Sequence, residues 1–417
     1  MTNFKYVSLF SGIGGFEQAM NKLGGECVMS SEIDKFANQA YEVLYGHKTV
    51  GDVTKVAVGD VPDHDVLVGG FPCQAFSVAG KRLGFDDTRG TLFFEVARIA
   101  KEKQPKLLLL ENVKGLISHD KGKTLDTIIK TLNDIGYTVD FNVMNSKYFG
   151  VPQNRERIFI VGVLNGKTER WKIEVNNVVA KGKKRIGEYE CIKTFNFDWP
   201  TQDIVTTRLQ DILEDEVDEK FFLSDELVNK LIIKAKESEY TNKNAVYEPF
   251  DGASCYHPRS QEFVRTGFTN KVLTLAARDY KDPKCVVVKV KEATKKGYTE
   301  ARIGDSINYS VLGSKTRRGR VGKSIAQTLD TGCNQAIIEN KPPYRIRKLT
   351  PKECFRLQGF ADSEFDKLVG ADISNSQLYK MAGNAVTVNV IEAIGSRLLK
   401  YLPHNEIGSR YVREKGA

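Results

Sequence analysis

The chain has 417 residues, 41% hydrophobic and 28% charged, a balance that excludes disordered and fibrous proteins and leads us to expect two domains. Its net charge of +9 favours a polyanionic partner such as nucleic acid. Seven cysteines with no C-x-x-C pair exclude a disulfide framework and a zinc ribbon, and no apolar run reaches the roughly 20 residues that cross a bilayer.

The segment Met1 to Phe10 runs straight into a glycine turn, without the basic region and long apolar stretch of a signal peptide, so a reducing cytoplasm is the expected location. From residue 4 to 164, short apolar runs alternate with amphipathic stretches, the pattern of β-α units around a parallel sheet. The predicted strands are Tyr6 to Phe10, Glu26 to Ser30, Asp65 to Val68, Lys106 to Leu110 and Arg157 to Val161, with a further strand end expected at Asp52. Apolar residues at helical spacing predict helices over Gly90 to Ala100 and Thr124 to Leu132, their large side chains facing the sheet. Past residue 165 the periodicity weakens and a second domain is expected. There the acidic run Asp211 to Lys220 reads as a solvated helix face or linker, and Val272 to Leu275 and Ala326 to Leu329 open two similar hairpins. Asn375 to Lys400 is amphipathic again, as if the chain rejoined the first domain.

Four places carry chemistry. Phe10-Ser11-Gly12-Ile13-Gly14-Gly15 is a glycine turn between a strand and a helix, able to admit a ligand close to the backbone; such a turn can also be purely structural. Glu32 ends the second strand about 20 residues on, where a carboxylate can accept from ribose hydroxyls, and Asp52 could accept from an adenine amino group or be a solvated loop acid. Cys73, in Gly70-Phe71-Pro72-Cys73-Gln74, arrives at the carboxyl edge of the sheet as a candidate nucleophile, and Glu111 ends the neighbouring strand as a candidate acid. Arg155 and Arg157 supply two guanidiniums just before another strand, suited to a phosphate or a polar base edge.

Taken in order, Phe10 to Gly15, Gly70 to Gln74, Glu111-Asn112-Val113 and Gln153 to Arg157 resemble the motifs of bacterial DNA cytosine-5 methyltransferases. Arg347 to Glu353 with Arg356 to Phe360, and Gln377 to Val386, extend that resemblance, which covers residues 4 to 164 and 345 to 400. It implies an α/β fold: a Rossmann-like domain that binds S-adenosyl-L-methionine on a mostly parallel sheet, plus a smaller variable target-recognition domain. The implied division is residues 1–185 for catalysis and cofactor, 186–345 for recognition, and 346–417 for a hinge and a segment returning to the first domain.

The implied reaction flips a cytosine out of a specific DNA duplex and methylates its carbon 5, with Cys73, Glu111, Arg155 and Arg157 as catalytic residues, S-adenosyl-L-homocysteine as product and no metal. By motif, the cofactor falls to Phe10, Gly12, Gly14, Glu32, Asp52, Pro72, Leu92, Asn384 and Val386. DNA falls to Gln74, Lys81 and Arg82 on a loop expected to close over it, and to Lys315, Arg317, Arg318 and Arg320 in the densest basic segment. Where several family members carry a serine in that loop, this chain has Ala79, which puts in doubt which side chain fills the vacated base stack. The resemblance further implies a bacterial or phage protein acting as a monomer, and a restriction endonuclease sharing its site without a stable complex. The alternatives are a transfer-RNA cytosine-5 methyltransferase of the same fold and a catalytically silent DNA-binding scaffold. An NAD-linked oxidoreductase is disfavoured because the glycine spacing departs from its fingerprint.

Overall fold

A computed structural model of the chain describes residues 4–72, 92–233, 253–256, 263–264, 285–339 and 345–403. Cys73, Gln74, Lys81, Arg82 and the hairpin expected at Val272 to Leu275 lie outside these described residues.

The first part is a six-stranded sheet. Its strands are β1 (Phe4–Leu9), β2 (Gly25–Ser31), β3 (Val66–Gly70), β4 (Leu107–Val113), β5 (Tyr137–Asn145) and β7 (Glu156–Leu164), the two-residue β6 (Gln153–Asn154) lying just before β7. The order across the sheet is β2-β1-β3-β4-β7-β5. Leu107 to Leu110 are all fully buried because β4 is covered on both faces, and alternate residues feed two separate cores. Helices α1 (Gly15–Lys22) and α2 (Lys35–Tyr45) cover one face, and α3 (Leu92–Lys103) and α4 (Lys123–Asp134) the other.

β1, β2, β3 and β4 pair in parallel, whereas β7 is antiparallel to both β4 and β5. The expectation of uniform β-α repeats is corrected here: β5 returns into β7 through a short connection rather than a crossover helix. The consequence is functional. An antiparallel strand begins at the edge where the parallel strands end, so Arg157 pairs with Val113, two residues beyond Glu111. A second correction concerns Asp52, which follows no strand; its side chain caps a 3-10 turn, Val53–Lys55.

After β7 come α5 (Val178–Gly187) and α6 (Asp225–Leu231), with 3-10 turns Leu209–Ile212 and Glu219–Phe221 flanking the acidic run where a helix face or linker was expected. β8 (Ala253–Tyr256), β9 (Phe263–Val264), β10 (Cys285–Lys291) and β11 (Tyr298–Arg302) form one antiparallel sheet. β12 (Ser306–Asn308), β13 (Val321–Gly322), β15 (Gln335–Ile338) and β16 (Ile346–Lys348) form another, while β14 (Ala326–Gln327) pairs with β6. A third core, with Val288, Val290, Ile307, Ala336 and Ile346, lies between these elements. The chain then runs through α7 (Pro351–Arg356), α8 (Asp362–Val369), α9 (Asn375–Asn384) and α10 (Val388–Leu398), and α10 packs against α1.

Candidate active site

The turn after β1 has its shape from three left-handed residues, Phe10 (φ 57°), Gly12 (φ 56°) and Gly14 (φ 80°). The glycines differ in what surrounds them. A Cβ on Gly14 would lie 2.3 Å from the Tyr45 ring, and one on Gly15 would lie 2.7 Å from Val386 Cγ2, so both are closed in by protein. A Cβ on Gly12 would meet nothing within 4 Å: the turn has one open face, and it is at Gly12. Behind it, the Gly12 amide donates to Glu32 Oε2 (2.9 Å), and the Ile33 and Asp34 amides donate to Glu32 Oε1 (2.8 and 2.7 Å). Three amides thus fix the Glu32 carboxylate beside that open face, where its remaining lone pairs can accept from a ribose. Asp52 is partly exposed, its Oδ1 accepting from the Thr54 amide and hydroxyl (3.0 and 2.8 Å), which hold it below the usual carboxylate range. Phe10, Leu92 and Val386 are half-buried, and Pro72 and Asn384 are exposed.

Glu111, two residues before the end of β4, is 9% exposed. Its Oε1 lies 3.1 Å from Arg157 Nε, and a Cβ on Gly70 would lie 3.3 Å from Oε2 and 3.7 Å from Val386 Cγ1. The strand that leads toward Cys73 therefore passes beside both the acid and the glycine turn's neighbour Val386. Asn112 Nδ2 donates to the Phe71 carbonyl (2.7 Å), anchoring the main chain just before Pro72. Burial raises the Glu111 pKa above the ordinary carboxylate value; Arg157 and then Arg155 act in the opposite direction without cancelling it.

Arg155 is used differently from Arg157. It is 3% exposed, and its guanidinium donates to the carbonyls of Leu329 (3.3 Å), Gly383 (3.1 Å) and Ala385 (2.8 Å). It joins the start of β7 to the end of α9 and to the loop after β14. Around it, Gln153 Nε2 donates to the Leu357 carbonyl (2.9 Å), and Thr387 donates to Gln358 Oε1 (3.0 Å). Lys380 on α9 pairs with Asp34 (2.6 Å), beside Glu32. These fasteners were not assigned from sequence, since their partners lie up to 346 residues away.

The basic segment lies apart from this edge. Arg320, expected to contact DNA, is turned inward in this structure. It is 3% exposed, its guanidinium donating to the carbonyls of Asn308 (2.9 Å), Ser310 (2.8 Å) and Val311 (2.8 Å), so it folds its own loop. Lys315 and Arg318 are exposed and Arg317 is half-buried. Arg318 Nε donates to the Ala293 carbonyl (2.9 Å), and the Ala293 amide to the Arg317 carbonyl (2.9 Å), which draws in the turn carrying the exposed Lys295 and Lys296. Among the described residues there is no group of three or more His, Cys, Asp or Glu suited to a metal, and no helix long and apolar enough to cross a membrane.

A glycine turn open at Gly12, a carboxylate fixed by three amides beside it, and a buried acid paired with an arginine share the carboxyl edge of a Rossmann-like sheet, the edge where open α/β folds bind their ligands. The profile of the C-5 cytosine-specific DNA methylases matches residues 4–400. The orphan methyltransferase M.SPRI of Bacillus phage SPR is 39% identical, covering 96% of this chain and 98% of its own. The type II methyltransferase M1.ScrFI of Lactococcus lactis subsp. cremoris is 38% identical over 96% of this chain and 79% of its own. In fold the chain is similar to the S. pombe Dnmt2 methyltransferase (TM-score 0.53, 18% identity, 96% and 99% of the two chains). It is likewise similar to a putative DNA modification methyltransferase of an E. coli prophage (0.52, 20%, 95% and 99%). The chain belongs to the C-5 cytosine-specific DNA methylase family, and is an enzyme of that type, a DNA cytosine-5 methyltransferase.

Proposed function

We propose that the protein flips one cytosine out of a specific DNA duplex and methylates its carbon 5 through a covalent adduct with Cys73. The observation that carries this is the buried Glu111 paired with the half-buried Arg157 beside Gly70, three residues before Cys73. A base within a duplex shows neither face to a thiolate, so the cytosine leaves the stack first. The Cys73 thiolate then adds to carbon 6, forming a C–S bond and moving the ring's electrons toward nitrogen 3 and carbon 5. Glu111, whose pKa is raised by burial, gives nitrogen 3 a proton or a short hydrogen bond, and Arg157 keeps both Glu111 and the base edge in place. S-adenosyl-L-methionine supplies an electrophilic methyl group to the nucleophilic carbon 5. Loss of the carbon 5 proton then returns electrons to the ring and expels the thiolate.

The residues that would hold the cofactor are Gly12 at its open face, Glu32 for the ribose and Asp52 for the adenine amino group, with Phe10, Gly14, Pro72, Leu92, Asn384 and Val386 around them. Arg155 acts in this scheme by positioning: it fastens the segment of Asn384 and Val386 to the strand of Arg157. Residues 186–345 read the target. Their DNA-facing surface is built from Lys315, Arg317 and Arg318 together with Lys295 and Lys296. Protection of the host's own target sites from a restriction endonuclease is the cellular role we favour, supported by relatives named type II methyltransferases.

The test is a duplex carrying 5-fluorocytosine at the target. The fluorine cannot leave as a proton, so the native protein is expected to stop as a denaturation-resistant adduct whose peptide map places the link on Cys73, while Cys73→Ser forms none. An adduct on another cysteine, or methylation of transfer RNA in preference to the duplex, would overturn the proposal.

A further inference from the structure

Beneath the cofactor turn lies a buried polar cluster that methyl transfer does not use. Ser8 on β1 and Ser30 on β2 are register partners and so share a face of the sheet. Glu17, on the first turn of α1, and Tyr41, on α2, close over them. Glu17 is fully buried, and its Oε1 accepts from the Tyr41 hydroxyl at 3.1 Å. Its Oε2 has no hydrogen-bond partner, and neither do Ser8 Oγ and Ser30 Oγ.

The groups facing Glu17 offer no positive charge to balance an ionised carboxylate. They are Tyr6 and Ser8 from β1, Cys27 from β2, Tyr41 and Tyr45 from α2, and Glu32 beyond the end of β2. His47 lies edge-on to Tyr41 with ring centres 5.4 Å apart. On the other side of α1, Glu392 of α10 is already matched by Lys22 at the surface. An unpaired buried carboxylate is strongly disfavoured, whereas a neutral carboxyl brings its own O–H to a cluster whose unpartnered atoms are all oxygen. Burial raises the Glu17 pKa to about 7, against the smaller opposing pull of the Tyr41 hydroxyl.

The cluster is wired to the cofactor turn. Tyr41 packs on Tyr45 with ring centres 4.5 Å apart. The Tyr45 hydroxyl donates to the Gly14 carbonyl (2.7 Å) and accepts from Gln18 Nε2 (3.1 Å), the residue after Glu17. The Tyr45 ring also fills the space that a Gly14 side chain would need.

We propose that Glu17 is a positioning residue for the cofactor turn and acts in its neutral, proton-bearing form, so that ionising it loosens the turn and weakens cofactor binding. This rests on the reading that the turn at Gly12 holds the cofactor. The neutral form is present at low pH and lost as pH rises through about 7. Between pH 6 and 8 its fraction falls about tenfold, so the apparent Kd rises by up to about tenfold if only the neutral form binds.

The experiment is calorimetric titration of the full chain with S-adenosyl-L-homocysteine from pH 6 to 8, for the native protein and Glu17→Gln. The ratio of the two Kd values removes every titration they share, including that of the ligand's amino group. A native-to-variant ratio that rises threefold to tenfold across the range is expected; a smaller change, with both proteins binding, overturns the role of Glu17. If neither protein binds at any pH, the cofactor assignment of the turn falls instead. Should Glu17→Gln not fold, Glu17→Leu, which also carries no proton, is read the same way. Should neither fold, Tyr41→Phe decides: removing the hydroxyl that donates to Glu17 Oε1 (3.1 Å) and so favours ionisation must move the midpoint of the binding profile to higher pH, and an unmoved midpoint overturns the proposal.

Discussion

Glu111→Gln separates the two tasks of the buried acid. The amide keeps the shape and one acceptor but has neither a proton to give nor a charge for Arg157, 3.1 Å away. Loss of a positioned acid typically costs about 10²- to 10⁴-fold in rate, or roughly 3 to 5 kcal/mol of barrier. The cost in stability should be smaller. Breaking a fully buried pair costs about 3 to 5 kcal/mol, but Arg157 and Glu111 retain 19% and 11% side-chain exposure, and Arg157 also donates to the Glu156 carbonyl at 2.9 Å. Moreover, the raised Glu111 pKa means that its charged form is less comfortable here than in water. We therefore expect about 1 to 2 kcal/mol in urea unfolding, below the fully buried range. Single-turnover methyl transfer should fall by at least about 100-fold while S-adenosyl-L-homocysteine affinity changes little. A rate within fivefold of native, or an affinity that falls in step with the rate, would refute the assignment.

The same residue makes a pH prediction with a definite sign. Because its folded pKa lies above the ordinary value of 4.5, native Glu111 contributes stability that is present at low pH and lost as pH rises from that value through the raised one. The stability difference between native and Glu111→Gln protein should therefore change with that slope, and a difference independent of pH would contradict the shift.

Glu353→Ala should be among the most damaging single changes, at about 3 to 5 kcal/mol in chemical unfolding. It leaves Arg347, which is fully buried and donates to both Glu353 oxygens (2.9 and 2.8 Å), with Glu339 (2.6 Å) as its remaining carboxylate partner. Lys315→Ala and Arg318→Ala should each reduce the slope of log K against log salt for DNA binding by about 0.9 and leave the melting temperature unchanged. Arg320→Ala, which loses three carbonyl contacts, should instead lower stability by about 3 kcal/mol. Gly12→Ala, facing open space at φ 56°, should fold with a backbone strain of about 1 kcal/mol yet lose cofactor affinity. Gly14→Ala, driven against Tyr45, should show its larger loss in thermal melting.

Local chemistry was legible in the sequence where one residue's neighbours decide its role. The glycine turn, Glu32 after its strand, and Glu111 ending Leu107 to Leu110 could all be read because strand ends and tight turns leave short-range marks. The direction of β7 left none. Arg157 to Val161 looks the same as a parallel or an antiparallel strand, and β5, which fixes the answer, has Asp140 and Asn142 among its apolar residues. Asp140 is tolerated there because Lys183 (2.6 Å), the Phe197 amide (3.0 Å) and the Trp199 indole (2.8 Å) satisfy it from 43 to 59 residues away.

The arginines show the limit most sharply. Arg155 and Arg157 are two residues apart in one motif, and Arg317, Arg318 and Arg320 lie in one basic run, so composition treats the members of each group alike. Their tertiary partners then separate them. Arg157 faces an acid at the sheet edge, while Arg155 and Arg320 turn inward and each donates to three main-chain carbonyls. A carbonyl carries no side-chain signature, so a guanidinium that binds one leaves no covarying charge in the text and reads as a free cation. Buried arginines of this kind are spent on holding segments together, and it is burial, not place in a basic run, that tells them from the exposed Lys315 and Arg318.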